Sequence, residues 1–184
     1  MIYINDNIYS LDLAASLDTI SVQRRKQALQ FVQDSDRRLC IAAYILLKQG
    51  LQQEYGITEN PIFGYNENGK PFIIGYPEIY FNISHCKKAA ICAIDSHPIG
   101  IDIETICEYE EDLKRYVLND KECQQVQNAR YPDVEFIRLW TMKESYLKLK
   151  GEGIHNDLKE LLPNKAKYTT VINLQQQYIY TVCQ

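Results

Sequence analysis

The sequence has no cysteine pair at C-x-x-C spacing and no histidine pair to accompany one, although six cysteines are present (Cys40, Cys86, Cys92, Cys107, Cys123 and Cys183). A tetrahedral zinc site needs such a cluster, so these residues read as buried free thiols. No stretch approaches the ~20 apolar residues of a membrane span. The opening Met1-Ile2-Tyr3-Ile4-Asn5-Asp6-Asn7 also lacks the basic-then-apolar pattern of a secretion signal. A cytoplasmic location without a membrane is therefore expected, and Asn82-Ile83-Ser84 would not meet the machinery that reads it as a glycosylation site. An excess of positive charge is missing too: 20 Lys and Arg face 24 Asp and Glu, for a net charge of -4. That balance excludes the broad basic face of a nucleic-acid binder, so any polyanion must be small and held locally.

What is present fits a folded protein. The 184 residues are 46% hydrophobic and 24% charged, far from the composition of disorder. Residues 21–55 predict two helices, the second with Leu39, Ala42, Ala43, Leu46, Leu47 and Gly50 at helical spacing and a cap at Asp34, Ser35 or Asp36. Arg37 and Arg38 would lie in its first turn. A turn at Asn66–Gly69 precedes two β-rich runs, 78–83 and 89–95, joined through Ser84 to Lys88 as a hairpin. From Pro98 the pattern starts again: a strand over 99–104, a helical block over 110–150, and two β-rich runs at 168–173 and 178–183. The expected fold is α+β in two similar halves, 1–97 and 98–184, each a small antiparallel sheet packed with helices.

Three constellations carry chemistry. In Ile99-Gly100-Ile101-Asp102-Ile103-Glu104, strand alternation puts Asp102 and Glu104 on one face and the isoleucines on the other. Two neighbouring carboxylates repel unless a cation or solvent screens them, and hard oxygen ligands suit Mg²⁺. In Trp140-Thr141-Met142-Lys143-Glu144-Ser145-Tyr146-Leu147-Lys148, Glu144 and Lys148 share a helix face, either as a surface ion pair or as a metal ligand beside a phosphate-facing ammonium. In Phe81-Asn82-Ile83-Ser84-His85, a hydroxyl and an imidazole stand at a strand end where both can donate to phosphate.

The series N-I-S-H, G-I-D-I-E and W-T-M-K-E-S-Y-L-K-L-K-G-E-G, preceded by Gly69-Lys70-Pro71, resembles the signatures of the phosphopantetheinyl transferase superfamily. The resemblance is to the Sfp-like type, which primes carrier proteins of peptide and polyketide synthases, and it covers residues 69 to 153. It implies a pseudo-twofold fold with coenzyme A in the cleft between the halves. By position, Asp102, Glu104 and Glu144 would hold Mg²⁺ with the coenzyme's pyrophosphate, and Lys148 would stabilise the departing phosphate. Ser84 and His85 would contact phosphates and Lys70 the nucleotide end, with Arg38 a partner for the 3′-phosphate. Glu122 aligns with a family glutamate of the catalytic machinery. The chain is shorter than most Sfp-like members after Gly153.

The implied reaction is attack of a carrier-protein serine on the β-phosphate of coenzyme A, with Glu144 or Glu122 as base. The partner is an apo acyl or peptidyl carrier protein, itself acidic, so Lys114, Arg115 and Lys121 are candidate docking residues, and a monomer is expected. Two other readings stand beside this one. Ser145-x-x-Lys148 has the spacing of a serine acyl enzyme, but the companion S-D-N and K-T-G motifs do not occur. A relative that binds coenzyme A or a carrier protein without catalysis would be expected to have lost an acidic ligand or Lys148.

Overall fold

Each of the two main sheets is built from a strand that precedes a set of helices and a hairpin that follows them. In the computed structural model, which describes residues 1–153, 158–162 and 165–184, β1 (Ile2–Asn5) leads into α1 (Leu13–Thr19), α2 (Val22–Ala28) and the long α3 (Asp34–Tyr55). After the short pair β2 (Phe63–Tyr65) and β3 (Pro71–Ile73) come β4 (Tyr80–His85) and β5 (Ala90–Asp95), and the first sheet has the order β1-β5-β4. Then follow β6 (Gly100–Thr105), α4 (Glu111–Val117), α5 (Asp120–Asn128), α6 (Pro132–Lys150), β7 (Tyr168–Asn173) and β8 (Tyr178–Cys183). This sheet is ordered β6-β8-β7, so the pre-helical strand again lies beside the last one, and all pairings are antiparallel.

Alternation along the strands explains the layers. Ala90, Cys92 and Ile94 of β5 pack against α3, through Leu39, Ala43, Leu47 and their neighbours. Ile91 and Ala93 point the other way, into a cluster with Ile101 and Ile103 of β6 and Val182 of β8, and this cluster joins the sheets. The opposite face of β6 and β8 is covered by α6. There Gly100 is required by close approach, because a Cβ at that position would stand 2.0 Å from the Ser145 carbonyl oxygen. A third cluster fixes α4, α5 and α6 around Val117, Phe136 and Ile179. Among the described residues no helix is long and apolar enough to cross a membrane.

Several local expectations change. The α+β class, the two hairpins and the 168–173 and 178–183 strands are as expected, but β4 runs on through Ser84 and His85, which pair with Ile91 and Ala90 as strand residues rather than as a connection. Gln33, without a side-chain bond, precedes α3, while Asp34 and Asp36 sit in its first turn. The 110–150 block is three helices, broken where Asn119 and Glu122 form a capping box at the start of α5. Lys114, a candidate for the partner surface, is buried and reaches Glu111 at 3.5 Å.

Candidate active site

Asn82 shows how β4 and β6 come together: its Oδ1 accepts the Ile101 backbone N–H at 3.1 Å, a buried bond from the first sheet to the second. Further along the two strands, Ser84 of β4 and, on the face of β6 opposite Ile101 and Ile103, Asp102 and Glu104 turn towards α6. That helix presents Trp140, Glu144 and Lys148 at i, i+4 and i+8, one face of its 3.6-residue period. These side chains, with Arg24, Phe31 and His85, line one cleft of about 430 Å³.

At its floor Lys148 Nζ donates to Ser84 Oγ at 2.8 Å and to Asp102 Oδ1 at 2.5 Å. Ser84 Oγ donates to the same Oδ1 at 2.9 Å. Asp102 is 2% exposed, and its Oδ2 is buried with no partner among the described residues. An unsatisfied buried carboxylate oxygen is costly, and such an atom calls for a ligand. The acids around it are crowded. Burial first, then the charge of Asp102, pushes the Glu104 carboxyl up to about 7, against relief from Lys148 and a hydrogen bond from the Trp140 indole. Glu144 is raised as well, by burial and then by Asp102. His85 is lowered, first by removal from water and next by the Lys148 ammonium, which favours the neutral imidazole.

Hard oxygen donors in carboxylate excess, one of them orphaned, fit a divalent cation such as Mg²⁺ in their chemistry. Their spacing is open: among the described residues no three metal-type side chains converge closely enough to hold an ion as they stand. Ligation therefore requires Glu104 and Glu144 to turn towards Asp102.

Two expected members lie elsewhere. Arg38 is turned away from the cleft, its guanidinium donating to the Leu11 and Tyr9 carbonyls. Glu122 is buried against α6, where its Oε2 accepts from Lys143 Nζ at 2.7 Å and from the Asn119 N–H at 2.9 Å. Lys143, 1% exposed, also donates to the carbonyls of Val117, Leu158 and Lys159. This pair closes the packing of α4 and α5 on α6, and neither residue lines the cleft. Lys70 borders an adjoining depression of about 350 Å³ that shares Ile83, Glu144 and Lys148 with the cleft. Burial lowers its pKa, and its Nζ donates to the Leu149 carbonyl at 3.0 Å.

One cleft residue was not singled out in the sequence. Arg24, on α2, lies over the rings of Tyr44 (5.2 Å) and Phe63 (5.7 Å), and its Nε is buried without a partner. A guanidinium with no carboxylate beside it among the described residues is suited to an anion. Nothing in the local sequence marks it, since Arg24-Arg25-Lys26 reads as a solvated helix face.

The family model of the 4′-phosphopantetheinyl transferase superfamily matches residues 98–183. A 4′-phosphopantetheinyl transferase of Bacillus subtilis is 34% identical over 139 residues, 73% of this chain and 62% of that protein. The 4′-phosphopantetheinyl transferase gsp of Aneurinibacillus migulanus is 32% identical over 163 residues, 86% of this chain and 67% of that protein. The L-aminoadipate-semialdehyde dehydrogenase-phosphopantetheinyl transferase of Homo sapiens is 27% identical over 161 residues, 78% of this chain and 52% of that protein. The chain thus spans about three fifths to two thirds of the length of the two bacterial relatives. On this similarity, and with the signature residues gathered around one cleft, the chain belongs to the 4′-phosphopantetheinyl transferase superfamily.

Proposed function

We propose that the chain transfers the 4′-phosphopantetheine group of coenzyme A to a serine of an apo acyl or peptidyl carrier protein, with Mg²⁺ at Asp102, Glu104 and Glu144. The observation that carries this reading is the buried Asp102 carboxylate, bridged to Lys148 and Ser84 on one oxygen and unpartnered on the other. We take residues 1–97 and 98–184 as two pseudo-twofold halves, the first holding the nucleotide and the second the acids. The matching strand order of the two sheets and the family match over 98–183 support the division.

In this reading Arg24 and His85 face the coenzyme's phosphates and the Gly69–Pro71 loop flanks the nucleotide end. Arg24 takes the part first assigned to Arg38, because it alone of the two lines the cleft. The metal, when bound, supplies positive charge to the pyrophosphate. The serine Oγ attacks the β-phosphorus, a new P–O bond forms, and the phosphoanhydride P–O bond breaks to release 3′,5′-adenosine bisphosphate. Lys148 faces the charge on the leaving phosphate. The serine proton goes to Glu144, which lines the cleft beside Lys148. Glu122, committed to Lys143, is not available for that step. A cytoplasmic monomer is the proposed working form, since the side chains that line the cleft all come from one chain.

The open spacing of the carboxylates favours one second reading, a binder of coenzyme A that does not catalyse transfer. Mass spectrometry of apo-carrier proteins incubated with the chain, coenzyme A and Mg²⁺ separates the two. Transfer adds about 340 Da to the carrier serine. Coenzyme A binding with no adduct on any carrier offered would establish the binder.

A further inference from the structure

The last turn of α6 carries Lys148, and its C-terminal carbonyls need partners that the helix cannot supply. Two come from the loop between β2 and β3. Lys70 Nζ donates to the Leu149 carbonyl at 3.0 Å, and Asn66 Nδ2 donates to the Gly151 carbonyl at 3.0 Å, across 79 and 85 residues of sequence. The Asn66 amide is fixed by its other end, because Oδ1 accepts the backbone N–H groups of Asn68 (3.0 Å) and Lys70 (2.7 Å). That leaves only the NH₂ to face Gly151. The same side chain thus shapes the 66–70 turn and clasps the end of the helix.

Gly151 is fitted to this contact. Its φ is +67°, and a Cβ there would stand 2.6 Å from Lys70 Cδ and 3.2 Å from Asn66 Nδ2. We propose that Asn66 is a positioning residue: through the Gly151 carbonyl it holds the last turn of α6, and with it Lys148 and Glu144, at a fixed distance from Ser84 on β4. Two members of the clasp, Lys70 and Gly151, line the adjoining depression together with Glu144 and Lys148. The clasp therefore ties the loop expected at the nucleotide end to the helix expected to do the chemistry. The catalytic consequence rests on the transfer reading above; the clasp itself does not.

Asn66→Asp separates the two jobs of the side chain. The carboxylate still accepts from Asn68 and Lys70, so the turn survives, but no donor faces Gly151. Asn66→Asp and Asn66→Ala should both lower kcat for transfer about tenfold, with KM for coenzyme A changed no more than about twofold, since small misplacements of reacting groups act on kcat. Gly151→Ala, which pushes the partners apart from the other side, should show the same split. Hydrogen exchange read at amides 149–151 should speed up in Asn66→Asp while amides 68 and 70 keep their protection. Wild-type kcat together with wild-type exchange in Asn66→Asp would overturn the proposal. Faster exchange with kcat unchanged would reduce Asn66 to a helix cap and overturn the positioning role. A wild-type chain that transfers nothing in the control assay would instead count against the transfer reading, with the exchange result still deciding whether the clasp exists.

Discussion

Helix α6 carries two lysine–carboxylate pairs that differ in almost every respect. Lys143 and Glu122 are both buried; the ammonium is surrounded by one carboxylate and three backbone carbonyls, and Glu122 also caps α5. Lys148 and Asp102 stand at the bottom of an open cleft, with one Asp102 oxygen unpartnered and two further acids pressing on it. The first pair is satisfied and closed, as charge must be in a low-dielectric interior. The second leaves one buried carboxylate oxygen without a partner among the described residues. The same residue types one and a half turns apart thus divide into a structural bolt and, in the proposed reading, a reactive site, and what separates them is the number of partners left over.

The largest effect should come from breaking the open pair. Asp102→Ala is expected to lower transfer on the order of a thousandfold or more, because it removes a charge that organises the phosphates. Its thermal midpoint should stay close to wild type, and a circular dichroism melt beside the transfer assay checks both halves of that statement. Breaking the closed pair should do the opposite. Lys143→Met or Glu122→Ala leaves one buried charge alone and is expected to cost about 3–5 kcal/mol of stability, read by urea unfolding. Transfer per folded molecule should fall far less, with the acid limb of its pH profile in place. Loss of that limb in Glu122→Gln, without loss of stability, would restore Glu122 as the base.

A smaller effect is expected at Arg24. Arg24→Met should raise KM for coenzyme A about tenfold, the scale of one charge-assisted phosphate contact, with kcat nearly unchanged. If the contact is to the 3′-phosphate, wild type and variant should behave alike towards dephospho-coenzyme A.

The smallest effect concerns Glu104. Its folded pKa, about 7, lies above the ordinary 4.5, so the folded chain binds more protons than the unfolded one between those values. Without metal, stability should therefore fall as pH rises through that window. Glu104→Gln should flatten that slope in thermal melts taken across the window, and a slope equal to wild type would contradict the assignment.

The two pairs also show what was legible in the sequence. The Asp102 strand and the Glu144–Lys148 face were readable because both depend on local periodicity, two for a strand and 3.6 for a helix. The final hairpin, Tyr168–Asn173 and Tyr178–Cys183, was readable for the same reason. β1 was not, since four residues of Ile-Tyr-Ile-Asn become a strand only because β5 offers an edge, and β2 and β3, at three residues each, are shorter than any pattern can register. Glu122 was expected in the site because it aligns, without a gap from Asp102, with a glutamate of the family it resembles. That alignment carries no sign that Lys143 would reach it through the packing of two helices. Arg24 was overlooked for the converse reason: its isolation from carboxylates and its stacking on Tyr44 and Phe63 exist only in three dimensions.

The central claim is that Asp102, Glu104 and Glu144 close on one divalent ion beside the coenzyme's pyrophosphate. Mn²⁺ titrated into the protein with coenzyme A and followed by electron paramagnetic resonance tests it directly. Wild type should bind one ion per chain, and Asp102→Asn should lose that binding under the same conditions. Equal Mn²⁺ binding by the two proteins would contradict the account.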